Sequence, residues 1–366
     1  MEVDRQTSQS EIADPGRCAP DESVRFTVIV PAYNPGEDLE RCLEALAEST
    51  YDQFDVLVVD DGSTESIEPL VERFGYRYLR IDGPSGPARA RNLGVQQAKS
   101  EFVVFIDADV CVHPDTIERF AQSFAEEEDL AAVIGSYDDS PSDPSFLSQY
   151  RNMFHHYTHC QSAGQIATFW SGCGAMRRDV FVEYGGFDEQ RYRRPAIEDI
   201  ELGTWIAADG GKIMLDPNIQ CKHLKNWSFS NMVKTDIFQR GIPWIDLMLR
   251  SAKAVKTLNV TGSQRLSVGL IFGACALVVV GIWWRWALIG SAAAAITVTV
   301  LNIDLYRFFA MQRGLLFAAK SLLFHWLYFI CCGLSVIIGT LRFHCSSQEA
   351  PSRPKRSEAS KEESTA

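Results

Sequence analysis

Three stretches in the last quarter of the chain restrict its fold more than anything else in it. Leu266 to Trp284 reads LSVGLIFGACALVVVGIWW, WALIGSAAAAITVTVLNI follows from Trp286, and SLLFHWLYFICCGLSVIIGTL runs from Ser321 to Leu341. Each is close to the roughly 20 apolar residues that carry a helix across a bilayer. Backbone groups in lipid must be satisfied within the segment, so stretches of this kind become helices. They are apolar all round and flanked by Trp and Arg, which favours spans over buried core helices. Spans are therefore expected at 266–284, 286–303 and 321–341, inside a membrane region at 263–341. Between the second and third, DLYRFFAMQRGLLFAAK mixes charge with aromatics and reads as an interfacial helix.

The rest of the chain is polar enough to be soluble. No apolar segment precedes Phe26, so nothing marks the first domain for export, and this large part is expected in the cytoplasm as part of a multi-pass membrane protein. The ten cysteines are scattered without a recurring CxxC pairing and read as reduced thiols. A formal net charge of −12 argues against nucleic acid as a partner. Arg307, Arg313, Lys320 and the tail RPKR favour the cytoplasmic side, yet three spans would place that tail opposite the soluble domain, so the topology stays open.

Residues 1–24 are polar and without periodicity, a disordered leader. RFTVIVPAYN is then a β-branched strand, and GEDLERCLEALAES an amphipathic helix with Leu39, Cys42, Leu43 and Leu46 on one face. FDVLVVDDGS is a second buried strand, ARARNLGVQQAK a helix, and FVVFIDADV a third strand. Strand and helix in alternation imply parallel pairing, with ligands at the carboxyl ends of the strands. That puts Asn34, Asp60, Asp61, Asp107 and Asp109 on one rim. Asp107 and Asp109, at i and i+2 on extended backbone, would project to the same side, which is tolerable if they stay solvated, if one is protonated, or if a cation sits between them.

The second half is less regular. Helices are expected in SFLSQYRNMFHHYTHC and from Glu198 in IEDIELGTWIAADGG, a strand and helix in ATFWSGCGAMRRDVFVEYGGF, and two short strands at Ile213–Leu215 and Ile219–His223 around a Pro-Asn turn. His155 and His159 stand four apart on a helix face, but no acidic ligand accompanies them, and a polar helix edge at a site entrance is the preferred reading over zinc. SFSNMVKTDIFQRGIPWIDLMLR is amphipathic and aromatic and is expected to rest on the membrane surface. The divisions are then 1–24 leader, 25–225 soluble domain, 226–262 interface segment, 263–341 membrane region and 342–366 disordered tail.

In order, VIVPAYNPGEDLERCLEAL, VLVVDDGST, GPARARNLGVQQAKSEFVVFIDADV, GCGAMRRDVFVEYGGFDE and IEDIELG resemble the membrane-bound family 2 glycosyltransferases, over roughly residues 26 to 245. The resemblance implies an α/β fold, the Rossmann-like A-type glycosyltransferase domain, followed here by transmembrane helices. It implies transfer of a sugar from a nucleotide-diphosphate donor, preferably a UDP-sugar, to a lipid-linked or cell-surface glycan acceptor with inversion. Polyprenyl-phosphate sugar synthesis and nucleotide-sugar binding without catalysis are the alternatives. By the same resemblance Asp60 would meet the donor base, with Pro31, Tyr33, Asn34 and Asp61 along the nucleotide and Arg89, or its rival Arg91, reaching it. Asp107 and Asp109 would share Mg²⁺ or Mn²⁺ with the diphosphate, Asp107 also being able to contact the ribose, and His223 is an optional third ligand beside a structural reading. Asp199 would be the general base with Glu198 beside it, although acids at a helix start also simply complement its dipole. QRGIPW departs from the spacing of processive members. It leaves Gln239 and Arg240 for the diphosphate, and Trp244 with Trp170 for the acceptor.

Overall fold

The computed structural model describes residues 25–250 and 262–345; the expected leader, the end of the interface segment and nearly all of the expected tail lie outside the described residues. Short runs of Val, Ile and Phe, each followed by an amphipathic stretch, build the first half. It runs β1 (Phe26–Ala32), α1 (Asp38–Ala47), β2 (Phe54–Asp60), α2 (Glu68–Arg73), β3 (Arg77–Arg80), α3 (Pro87–Gln97) and β4 (Phe102–Ile106). The face of α1 buried against the sheet is Leu39, Cys42, Leu43 and Leu46, as its periodicity predicts. β3, sequence RYLR, has no apolar run and forms only because it pairs with β2 as an edge strand.

β5 (Val110–Val112), α4 (Thr116–Glu126), β6 (Leu130–Tyr137), α5 (Phe146–Gln161), β7 (Gly164–Ile166), β8 (Cys173–Arg177), α6 (Arg178–Glu183), α7 (Glu198–Ala208) and β9 (Lys212–His223) follow. The sheet order is β3-β2-β1-β4-β8-β6-β9-β5, with β7 beside β9. β3, β2, β1 and β4 are parallel, as the alternation implies, whereas β8 runs antiparallel to β4 and β6. The two short strands expected around Pro217 are one strand. β9 pairs with β6 on both sides of an irregular step, Ile134 opposite Leu215 and Ser136 opposite Gln220, so the Pro-Asn turn is absorbed as a bulge.

The chain then continues as α8 (Phe229–Lys234), a π-helix (Thr235–Gly241), α9 (Ile242–Arg250), α10 (Gly262–Val280), α11 (Ala287–Leu301), α12 (Ile303–Arg313) and α13 (Leu315–Cys345). Among the described residues α10 and α13 are long and apolar enough to cross a membrane. α11 is shorter than its sequence suggested and bends by 66° into α12, so the two could make a third crossing only as one broken span. The single interfacial helix expected at 304–320 is divided at Gly314, whose φ of +87° ends α12, and Leu315–Lys320 belongs to α13.

α13 keeps to the sheet domain along most of its length. Phe317 and Phe324 meet Phe146 of α5 with ring centroids 5.1 and 5.3 Å away, and Tyr328 meets Phe154 at 5.2 Å. Further on, a Cβ on Gly241 would lie 2.1 Å from Ser335 Oγ, and one on Gly339 would lie 2.9 Å from Ile245 Cβ. These glycines let the π-helix and α9 touch α13 closely. The outward face of α13 carries exposed Leu316, Leu323, Ile337 and Leu341.

Candidate active site

A cavity of about 920 Å³ opens where β1 and β4 end, and continues between the π-helix, α10 and α13. Its floor comes from the turn after β4. Asp107 and Asp109 do not sit on extended backbone: the N–H of Val110 returns to the carbonyl of Asp107, 3.0 Å, and the chain turns between β4 and β5. Each carboxylate has its own partner. Asp107 Oδ1 accepts from Arg91 at 2.5 Å, and Asp109 Oδ2 lies 3.6 Å from His223 Nε2. These partners offset part of the repulsion implied by the spacing, though Asp109 still raises Asp107.

Arg91 also donates to Glu198 Oε1 at 3.0 Å, so one buried guanidinium ties the end of β4 to the start of α7. Burial pushes Glu198 up to about 7; Arg91 opposes that shift and the neighbouring Asp199 adds to it. Burial likewise raises Asp107, against Arg91 and with Asp109. Asp109 is held below the usual carboxylate range: desolvation would raise it, but His223 and Lys225 outweigh that. His223 is itself stacked on Tyr137, centroids 4.3 Å apart, which fixes its ring plane.

Asp199 faces the cavity from the first turn of α7. Its Oδ2 accepts both the N–H and the O–H of Ser171, each at 2.8 Å, and Oδ1 accepts the N–H of Ile200 at 2.8 Å. Ser171 was not singled out from the sequence. Its only trace there is the glycine after it: a Cβ on Gly172 would sit 2.6 Å from the indole nitrogen of Trp170, so glycine is what allows the indole to fold back here. Trp170 packs in turn against Tyr137, His155 and His159, with centroids 4.8 to 5.2 Å away. Burial lowers both histidines, His159 to about 4, so this aromatic wall carries no charge near neutrality.

The helical wall is different. Arg151 and Asp236 form a buried bidentate pair between α5 and the π-helix. With Asp236 engaged, Arg240 lines the cavity and has no hydrogen bond or ion pair among the described residues. Lys225, over the ring of Trp227 at 4.8 Å, and the exposed Arg265 of α10 line it too. Gln239, held by Thr235 at 2.8 Å, and Trp244 are also in the lining. A π-helix adds a residue to a turn and rotates the succeeding side chains round the axis, a device found often at functional sites.

Of the residues expected at the site, Pro31, Tyr33, Asn34, Arg91, Asp107, Asp109, Trp170, Glu198, Asp199, His223, Gln239, Arg240 and Trp244 line this cavity. Asp60, Asp61 and Arg89 do not: the carboxyl ends of β2, β1 and β4 share one sheet edge, as expected, but the aspartates that end β2 lie outside the cavity. Asp60 is fully buried and accepts from Ser63 N, Tyr78 Oη and Arg80, each at 2.8 Å. Burial would raise it, but these hydrogen bonds prevail and hold it low. Asp61 accepts from the backbone of Ser85 and Gly86, and Arg89 is exposed on α3, leaving Arg91 as the inward arginine. Asn34, at φ 46°, uses its side chain to hold Thr64.

No three His, Cys, Asp or Glu side chains come together as a metal site among the described residues; Asp107 and Asp109, expected to share a cation, and His223, the optional third ligand, all line the cavity. Asp109 and His223 are adjacent and open to the cavity. A hard divalent cation that keeps waters and takes substrate phosphate oxygens needs only one or two protein ligands, and this pair fits that role.

Residues 27–185 match the family described as Glycosyl transferase family 2. Glycosyltransferase GlyG of Streptococcus pneumoniae serotype 4 is 34% identical over 117 residues, 31% of this chain and 38% of that protein. The poly(ribitol-phosphate) beta-N-acetylglucosaminyltransferase TarS of Staphylococcus aureus is 33% identical over 105 residues, 27% of this chain and 18% of that protein. The chain thus spans well under half the length of these relatives. Among solved structures, a mannosyltransferase from Pyrobaculum calidifontis in complex with GDP-Man and Mn²⁺ covers 88% of this chain and 90% of its own, with a TM-score of 0.57 at 21% identity. That likeness establishes a shared fold.

Proposed function

Residues 27–185 are a family 2 glycosyltransferase domain, and from that premise we propose that the protein transfers a sugar from a nucleotide-diphosphate donor to a membrane-borne, lipid-linked acceptor, inverting the anomeric centre. The observation that carries this reading is the continuity of the cavity. It runs from Asp109 and His223 past Asp199 to Val268 of α10 and Phe329 and Val336 of α13, the two helices apolar enough to cross a membrane.

The donor diphosphate lies between Asp109 and His223 on one side and Arg240 with Lys225 on the other, where unpaired cations in a recess favour an anion. A divalent cation held by Asp109 and His223 would supply Lewis-acid stabilisation of the departing diphosphate. Arg91 keeps Asp107 in place, where it would contact the ribose. Asp199, oriented by Ser171, takes the proton of the acceptor hydroxyl as its oxygen bonds to the sugar carbon, while the bond from that carbon to the diphosphate breaks. One displacement inverts configuration. Trp170 and Trp244 offer apolar faces to the acceptor.

Thermal-shift measurement of the full-length protein in detergent against nucleotide sugars with Mn²⁺ tests the donor half, since a ligand of the folded state raises its apparent stability. UDP-sugars head the panel, with GDP-mannose beside them because the mannosyltransferase of shared fold was solved with it. A cation-dependent shift is expected for one donor class. No shift with any donor, or a shift unchanged by excess chelator, contradicts the reading.

A further inference from the structure

A second recess, about 590 Å³, lies between the loop that leads into α7, the start of the π-helix and the last turns of α13. Arg193, Arg194, Lys234 and Arg342 line it, and none has a carboxylate partner among the described residues. The one acid in its lining, Asp246, is taken by Arg250. Four like charges around a concavity repel one another unless an anion joins them. Its other walls are apolar: Phe238, 58% exposed, and Phe343.

The position of the recess narrows the anion. The outward face of α13 carries exposed Ile337 and Leu341, and directly after them comes Arg342. Apolar surface that gives way to arginine and lysine is how a helix passes from lipid tails to headgroups. A soluble anion would need the cations but not the exposed Phe238 and half-buried Phe343 beside them, whereas a lipid uses both. We propose that this recess binds the phosphate head of an anionic membrane lipid, with Phe238 and Phe343 against the start of its chains.

The site also reaches the catalytic machinery. Pro195 and Ala196 line both recesses, and the Ala196 N–H donates to Glu198 Oε2 at 3.1 Å. A headgroup held by Arg193 and Arg194 therefore steadies the loop that sets Glu198. Charge and position suffice for such a site, whichever sugar or acceptor the enzyme uses.

The test uses the full-length protein in an uncharged detergent, titrated with dioctanoyl phosphatidylglycerol while the thermal midpoint is followed. A saturable rise is expected, absent with dioctanoyl phosphatidylcholine and with inorganic phosphate at the same concentration. In Arg342→Gln and in the Arg193→Gln/Arg194→Gln pair the apparent affinity for the anionic lipid falls about tenfold or more, and the lipid-free midpoint is unchanged. Lys234→Gln, on a different helix, gives a smaller loss and reads out the site if either arginine variant folds poorly. An equal rise with phosphatidylcholine, or variants that keep the full response, overturns the site. An equal rise with inorganic phosphate overturns the assignment to a lipid.

Discussion

The two walls of the large cavity are built on opposite electrostatic plans. On the sheet side, charges come in partnered sets: Arg91 with Asp107 and Glu198, Asp109 with His223, and behind them Asp60 with Tyr78 and Arg80. On the helical side one pair, Arg151 with Asp236, is closed, and Arg240, Lys225 and Arg265 face the cavity without a salt bridge among the described residues. A partnered wall holds its shape with no ligand. An unpartnered one waits for a ligand to neutralise it, so the difference tells which side carries the scaffold and which side receives charge.

Arg151 is the place to break this division most severely. Arg151→Ala would strand Asp236 as a buried, unpaired carboxylate and lower stability by about 3–5 kcal/mol, measured as a fall in the denaturation midpoint. A variant as stable as the parent would mean that the pair does not brace this wall.

Asp199→Asn keeps the shape of the side chain and its contacts with Ser171 but removes the proton acceptor. Turnover should fall on the order of 10²-fold or more while donor affinity changes little. A large loss of donor affinity instead would move Asp199 into the scaffold set.

Arg240→Ala tests the receiving wall in the complementary sense. Donor affinity should weaken about tenfold or more, as for the loss of a charge-assisted hydrogen bond to phosphate, with the thermal midpoint of the ligand-free protein unchanged or slightly raised. Calorimetric titration with the donor gives the first quantity and differential scanning the second.

The smallest effect belongs to Glu198. Its folded-state pKa of about 7 lies above its ordinary value of 4.5, so its contribution to stability is fully present below about 4.5 and is lost as pH rises through about 7. Glu198→Gln should therefore gain in thermal midpoint relative to the parent between pH 5 and pH 8. A difference that does not vary with pH would show that Arg91 keeps Glu198 ionised throughout.

The fold was legible wherever local pattern and burial agree. The buried face of α1, the parallel order of β1, β2 and β4, and the start of α7 at Glu198 can all be read from residue spacing. β3 was not, because an edge strand of two arginines, a tyrosine and a leucine has no apolar run to announce it. At the site, sequence order identifies which residue types gather but not who pairs with whom. The resemblance assigned Asp60 to the donor base, but the residues that hold it, Tyr78 and Arg80, come from a strand with no signal. Arg151 and Asp236 lie 85 positions apart, and only the packing of α5 on the π-helix brings them together. The helical region misled in a different way: apolar composition gives span length but not contact, and the close packing of the π-helix and α9 on α13 depends on single glycines at 241 and 339.

In the proposed reaction the acceptor attacks from the Asp199 side while the diphosphate leaves toward Arg240. The most direct measurement is the anomeric configuration of the product formed from an α-linked nucleotide sugar, read from its proton NMR coupling. A β-linked product is predicted. An α-linked product would contradict the single displacement and the division of the cavity into a base side and a leaving-group side.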